Sequence, residues 1–99
     1  MVFDISKVTG IGEYTERTEE VKEKSRTLYF KEEKVFLVVN KNTIEVRTDD
    51  ELRRLLVEKY ESVMESRYFG RGGVEIVLAG EQFSEDELDD LVRLSYNLS

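Results

Sequence analysis

The sequence predicts an α+β domain, a two-layer sandwich in which an antiparallel sheet of about five strands carries two capped helices on one face. Three observations predict it. Short runs of strand pattern follow one another from Ser25 to Arg47. Two Ser/Thr-x-x-Glu boxes, at Thr48 and Ser84, each precede leucines at helical spacing. A glycine-rich turn, Gly70-Arg71-Gly72-Gly73, separates two further strand-like runs.

The elements follow in order. Arg26 to Phe30 reads as a strand with Leu28 and Phe30 on one face, and Lys31-Glu32-Glu33 as a charged turn. Lys34 to Val39 is apolar throughout, as a central strand covered on both sides should be. Asn40-Lys41-Asn42 tolerates left-handed backbone and turns the chain into Thr43 to Arg47, with Ile44 and Val46 inward and Glu45 and Arg47 outward. Thr48-Asp49-Asp50-Glu51 predicts a capping box and a helix over Asp49 to Tyr60. Its apolar stripe is Leu52, Leu55, Leu56 and Tyr60. Ser62 to Phe69 and Val74 to Ala79 read as a hairpin around the glycine turn. Ser84 to Glu87 caps a closing helix over Glu85 to Asn97, buried along Leu88, Leu91, Val92, Ser95 and Tyr96. Before these, Gly10-Ile11-Gly12 is a break. Glu13 to Lys24 has helix-forming composition, with like charges at Glu16/Glu20 and Glu19/Glu23 that weaken an isolated helix.

Ninety-nine residues suit one domain, spanning 1–99. The charge balance is 15 Lys and Arg against 22 Asp and Glu, net −7, a sign that repels phosphate backbones and anionic lipid. The imbalance is local: residues 1–48 carry nine bases and nine acids, and residues 49–99 six and thirteen. With no Cys and no His, the chain cannot form a disulfide, a thiolate nucleophile, the usual zinc site or a Ser-His-Asp relay. Neither Gly70-Arg71-Gly72 nor Gly10-Ile11-Gly12 completes a dinucleotide fingerprint, so no cofactor is expected. The run Val35 to Val39 is far shorter than the roughly 20 residues of a membrane span. Met1-Val2-Phe3-Asp4 has no basic or long apolar leader region, and the expected compartment is cytoplasmic.

Together these residues resemble the MmcQ/YjbR-like family. The resemblance rests on Lys34-Val35-Phe36, on Ile44 to Thr48 leading into Glu51-Leu52, on Tyr60 with Ser62-Val63, and on Leu91-Val92 with Ser95-Tyr96 and Leu98. It implies a two-layer α+β sandwich of CyaY-like or secretion-chaperone-like topology and DNA binding through a double wing of hairpins. Where the family carries Asn-Lys and then His-Trp pairs, this chain has Phe69-Gly70-Arg71-Gly72-Gly73-Val74.

Arg67, Tyr68 and Arg71 mix base, aromatic ring and glycine, the composition that stacks bases and meets phosphates. With Arg47, Arg53 and Arg54 they form the candidate contact set for nucleic acid or another partner. The alternative reading is a plain hairpin turn. Glu81, Glu85, Asp86, Glu87, Asp89 and Asp90 read as a solvated helix face near a positive helix end, and no metal site is expected. No pair of acids stands out for hydrolysis. Val77, Leu78, Phe83, Tyr29, Leu37 and Val63 are candidates for the sheet face away from the helices, to be covered by a partner, a second copy or the N-terminal segment. The expected function is a non-catalytic module for protein interaction or self-association, with DNA binding as the alternative.

Overall fold

Six stretches of the chain pair into one antiparallel sheet in the computed structural model, which describes residues 3–99. Met1 and Val2, part of the N-terminus read above as lacking a leader, lie outside the described residues. The strands are β1 (Thr15–Val21), β2 (Lys24–Lys31), β3 (Lys34–Val39), β4 (Thr43–Arg47), β5 (Val63–Ser66) and β6 (Gly70–Val77), in the spatial order β1-β2-β3-β4-β6-β5. Helix α1 (Asp50–Lys59) packs on β5 and β6, and α2 (Glu85–Leu98) on β3 and β4. The β1–β2 hairpin extends beyond both helices, so the two layers overlap only in part.

The sheet therefore has six strands rather than about five, and the extra one is β1. Its residues have helix-forming composition, yet β2 offers a register from Thr15↔Phe30 to Val21↔Lys24, and pairing overrides propensity. Lys22 and Glu23 close the hairpin with φ of 50° and 66°, the double left-handed turn that matches strand twist.

The helix-side core joins Phe36, Leu37, Ile44, Val46, Val63, Val74 and Ile76 of the sheet to Leu56, Leu88 and Val92 of the helices. Ile5 and Val8 extend it from the N-terminal segment, where Phe3 and Ile11 also pack. Leu37, Val63 and Leu78 are in this core, with Tyr29 and Phe83 packed against it, while Val77 is half-buried opposite Thr43. The apolar residues of the other face are instead Leu28, Val35 and Val38, flanked by Phe30 and Phe69. Residues 3–11 thus complete the helix layer and leave that other face alone.

One irregularity organises the sheet centre. Tyr29 pairs with Leu37 and Phe30 with Val35, so Phe36 is an extra residue, a β-bulge that turns both Phe36 and Leu37 toward the helices. The β3–β4 register ends at Leu37↔Val46, and the next pair, Phe36 and Arg47, is not in it. Ser95 of α2 fills the gap: its hydroxyl accepts from the Arg47 N–H at 2.7 Å and donates to the Phe36 carbonyl at 2.5 Å. Tyr96 beside it meets Phe36 edge-on, with ring centroids 5.0 Å apart, and donates its hydroxyl to the Glu13 carbonyl at 2.9 Å.

Three local expectations are corrected. The cap of α1 is Asp49, whose carboxylate accepts from the Leu52 N–H at 2.7 Å. Thr48 is drawn into the sheet by its own N–H, which donates to Gly72. Leu55 is 58% exposed, because α1 buries only the line Leu52, Leu56 and Tyr60 as it crosses the end of the sheet. Gly70 to Gly73 belong to β6, and the connecting turn is Arg67-Tyr68-Phe69. Gly73 is needed in the strand, since a Cβ there would meet the Val46 carbonyl and lie 2.9 Å from the Cβ of Phe69. The Ser84–Glu87 capping box forms as expected.

Ser95→Ala removes the sole bridge between two backbone groups at a fully buried position, and should lower stability by about 3 kcal/mol in urea unfolding. A loss under about 0.5 kcal/mol would mean that the strands close up without the hydroxyl. Replacing Lys22-Glu23 by Asn-Gly should raise stability by about 1 kcal/mol, because the left-handed backbone is disfavoured for both native residues.

Candidate binding face

The period of two places Leu28, Val38, Glu45 and Glu75 on the face away from the helices. Glu45 and Glu75 are direct cross-strand partners at its centre, and each is only 1% exposed. Outward-facing Glu45 is buried because the Arg67-Tyr68-Phe69 turn folds back across the sheet. Two carboxylates side by side repel, so each must be satisfied by donors. Glu45 accepts from the Asn40 amide at 2.8 Å, the Ser66 hydroxyl at 2.8 Å and the Tyr68 N–H at 2.8 Å. Glu75 accepts from the Thr43 hydroxyl at 2.7 Å and takes two bonds from Arg67, Nε at 2.9 Å and Nη2 at 2.7 Å. The Phe69 N–H closes the turn onto Ser66 at 2.9 Å.

Burial pushes the Glu75 carboxyl upward, but the Arg67 and Thr43 hydrogen bonds outweigh it and hold the group below its ordinary range. The same contact raises Arg67 above its ordinary value. Glu75 is thus kept ionised at neutral pH and serves as an anchor for the turn. It has neither the access nor the raised proton affinity of a general acid.

Around this centre, guanidinium groups lie over aromatic rings. Arg17 is 5.1 Å from the Phe30 centroid, Arg26 5.2 Å from Tyr68 and Arg47 4.9 Å from Phe69. Arg47 also donates from Nε at 2.6 Å to the Val35 carbonyl at the bulge, and Arg26 from Nε at 2.7 Å to Glu19. Tyr68 and Phe69 meet edge-on at 5.0 Å. Tyr68 and Met64 remain 38% and 42% exposed.

The six residues singled out by sequence divide into two groups. Arg47, Arg67 and Tyr68 come together on this face. Arg53 and Arg54 stand on α1 in the helix layer and Arg71 on β6: Arg53 and Arg54 pair with Asp50 at 2.5 and 2.8 Å, and Arg53 Nε donates to the Arg71 carbonyl at 3.0 Å. The Arg53 hydrogen bond holds Asp50 below its ordinary range. Arg71 makes no ion pair among the described residues.

Arg17, Arg26 and the Glu45–Glu75 pair were missed. Arg26 shares the parity of Leu28 and Phe30, a signal already present in the sequence. Arg17 lay in the segment with helix-forming composition, and the pairing of Glu45 with Glu75 depends on a long-range register. Among the described residues no three His, Cys, Asp or Glu side chains gather for a metal ion. No helix among them is long and apolar enough to cross a membrane. Two open grooves run over the surface, one along Asp50, Glu51, Arg54, Leu55 and Glu58 of α1, the other along Thr15, Glu16, Arg17, Phe30, Glu32 and Glu33.

Comparison of the chain with protein-family models, curated proteins and solved structures gave no significant match.

Arg67→Ala should cost about 2 kcal/mol at pH 7, less than a fully enclosed pair because the Arg67 side chain is 70% exposed. The depressed Glu75 value means that this stabilisation is complete above the ordinary glutamate range of about 4.3 and is lost as pH falls through the folded-state value. Urea midpoints of wild type and variant should therefore converge on acidification from pH 7 to about pH 3. A gap that stays constant would assign Arg67 a packing role alone.

Proposed function

We propose that this chain is a small non-catalytic binding module that receives a partner protein on its uncovered sheet face. The observation that carries this reading is the state of that face. Among the described residues only the Arg67–Phe69 turn crosses it, and Tyr68 and Met64 stay exposed beside arginines already held by rings and carbonyls. Side chains fixed before binding lose little further entropy when a partner arrives, which favours affinity at a small surface. The buried carboxylates are engaged by their neighbours and the groove beside Arg17 is open, which suits the face to recognition rather than to a reaction.

Two other occupants fit less well. The DNA reading implied by the MmcQ/YjbR-like resemblance uses protruding wings, whereas here Gly70–Gly73 run within β6 and the turn lies on the sheet. The aromatic rings already carry guanidinium groups, which competes with base stacking. A second copy placed face to face would oppose arginine to arginine. Copies joined along β1 in the register that sets Arg17 against Glu19 would also set Glu16 against Glu20.

The test is selection of random peptides on the immobilised chain, with counter-selection on a Met64→Asp, Tyr68→Ser variant that keeps the wild-type circular dichroism. Enriched peptides should bind wild type at least about tenfold more tightly than the variant, and the free chain should sediment as a monomer. Peptides indifferent to the variant, or duplex DNA binding with a steep salt dependence where peptides fail, would overturn the reading.

A further inference from the structure

Resting on the reading of the open face as a protein-binding surface, we infer that its partner presents a short acidic segment in extended conformation. The inference starts from which charges reach solvent. Glu45 and Glu75 are each 1% exposed, and the Glu19 side chain, 30% exposed, is tied to Arg26 and lies 3.9 Å from Arg17. The side chains of Arg17 and Arg67 are 64% and 70% exposed, with Arg26 and Arg47 half-buried between them. At the centre of this face and along the turn, the charges that reach solvent are therefore guanidinium groups, while Glu16, Glu32 and Glu33 line the groove beside Arg17 at its β1 edge.

The arginines retain donors for a ligand. Arg67 uses Nε and Nη2 on Glu75, which leaves Nη1 free. Arg47 spends only Nε on Val35. Contact with the Phe69, Tyr68 and Phe30 rings restrains the guanidinium groups, whose planar forks carboxylates meet side by side. They stand on β1, β2, β4 and the β5–β6 turn; neighbouring strands lie about 4.8 Å apart, and β3, which carries none of the four, doubles the step from β2 to β4. An extended segment repeats its side chains on one face every ~6.8 Å, between those two steps, and the long arginine side chains make up the difference for acids at alternate positions.

Charge density selects a peptide over a nucleic acid. Duplex DNA carries a charge about every 1.7 Å and needs many cations for its counterions to be released. This face offers four arginines against two buried carboxylates and Glu19, on a chain of net charge −7. A surplus this small suits a segment with few carboxylates, not a polyanion.

The experiment titrates the isotopically labelled chain with three peptides of equal length, alternating Thr with Glu, Gln or Lys, and with duplex and single-stranded oligonucleotides. The Glu peptide should shift amides of β2, β4 and residues 67–69, with affinity reduced about five- to tenfold in Arg26→Gln and reduced again by salt. Equal binding of the Gln or Lys peptide at the same amides would overturn the acidic partner and leave the binding module standing. Failure of all three peptides would also overturn the acidic partner. Oligonucleotide shifts at those amides without Glu-peptide shifts would overturn both.

Discussion

The extra residue at Phe36 is the constraint from which much of the molecule follows. A bulge in a central strand turns two consecutive apolar side chains toward the helices and breaks the hydrogen-bond ladder beside them. Three backbone groups then need new partners. The Phe36 carbonyl and the Arg47 N–H find the Ser95 hydroxyl, and the Val35 carbonyl finds Arg47 Nε. The first two bonds dock α2 onto the sheet centre. The third swings Arg47 across the opposite face and over the Phe69 ring, which helps hold the β5–β6 turn down. One irregularity thus couples the helix layer to the candidate binding face.

The second organising feature is the burial of two carboxylates where a sheet of this size would ordinarily meet water. Burying them is costly, and the molecule offsets the cost with short donors from Asn40, Thr43, Ser66, Arg67 and the Tyr68 backbone. Most of those donors come from the turn or the residue that begins it, so the acids specify the turn's position. Leu28, Val35 and Val38 supply the apolar floor beneath Phe69, but apolar contact alone would accept several arrangements. Directional bonds to Glu45 and Glu75 select one.

Much of this architecture was legible in the sequence, and the failures share a cause. β3 and β4 matched residue for residue, and α2 was recognised from its capping box and stripe, since each signal is local. β1 was missed because its charged, helix-forming composition becomes a strand only through β2. The glycine cluster was read as a turn because Gly usually signals positive φ, whereas Gly73 is required by the close approach of Val46 and Phe69. The same limit applied at the candidate site. Arg47, Arg67 and Tyr68 were found from composition, but their convergence with Arg17, Arg26 and the paired glutamates arises from registers spanning several strands. The Ser95-Tyr96 pair was noticed as a pattern, and its role emerged only with the bulge it repairs.

Net charge is the point at which sequence arithmetic and structure diverge most. A value of −7 argues against anionic partners if every charge contributes equally. Here two of the acids are sealed beneath a turn and five gather on α2, where Asp89 is pushed above its ordinary range first by burial and then, against the pull of Arg93, by Asp86, Glu85 and Asp90. The open face presents guanidinium groups to solvent while the helix layer carries the acidic surplus. Within about a Debye length, some 8 to 10 Å at moderate salt, a short ligand responds to that local surface. A long polyanion reaches beyond it to the acidic remainder. On the proposed reading, an acidic segment is short enough to meet the local surface alone, which a nucleic acid is not.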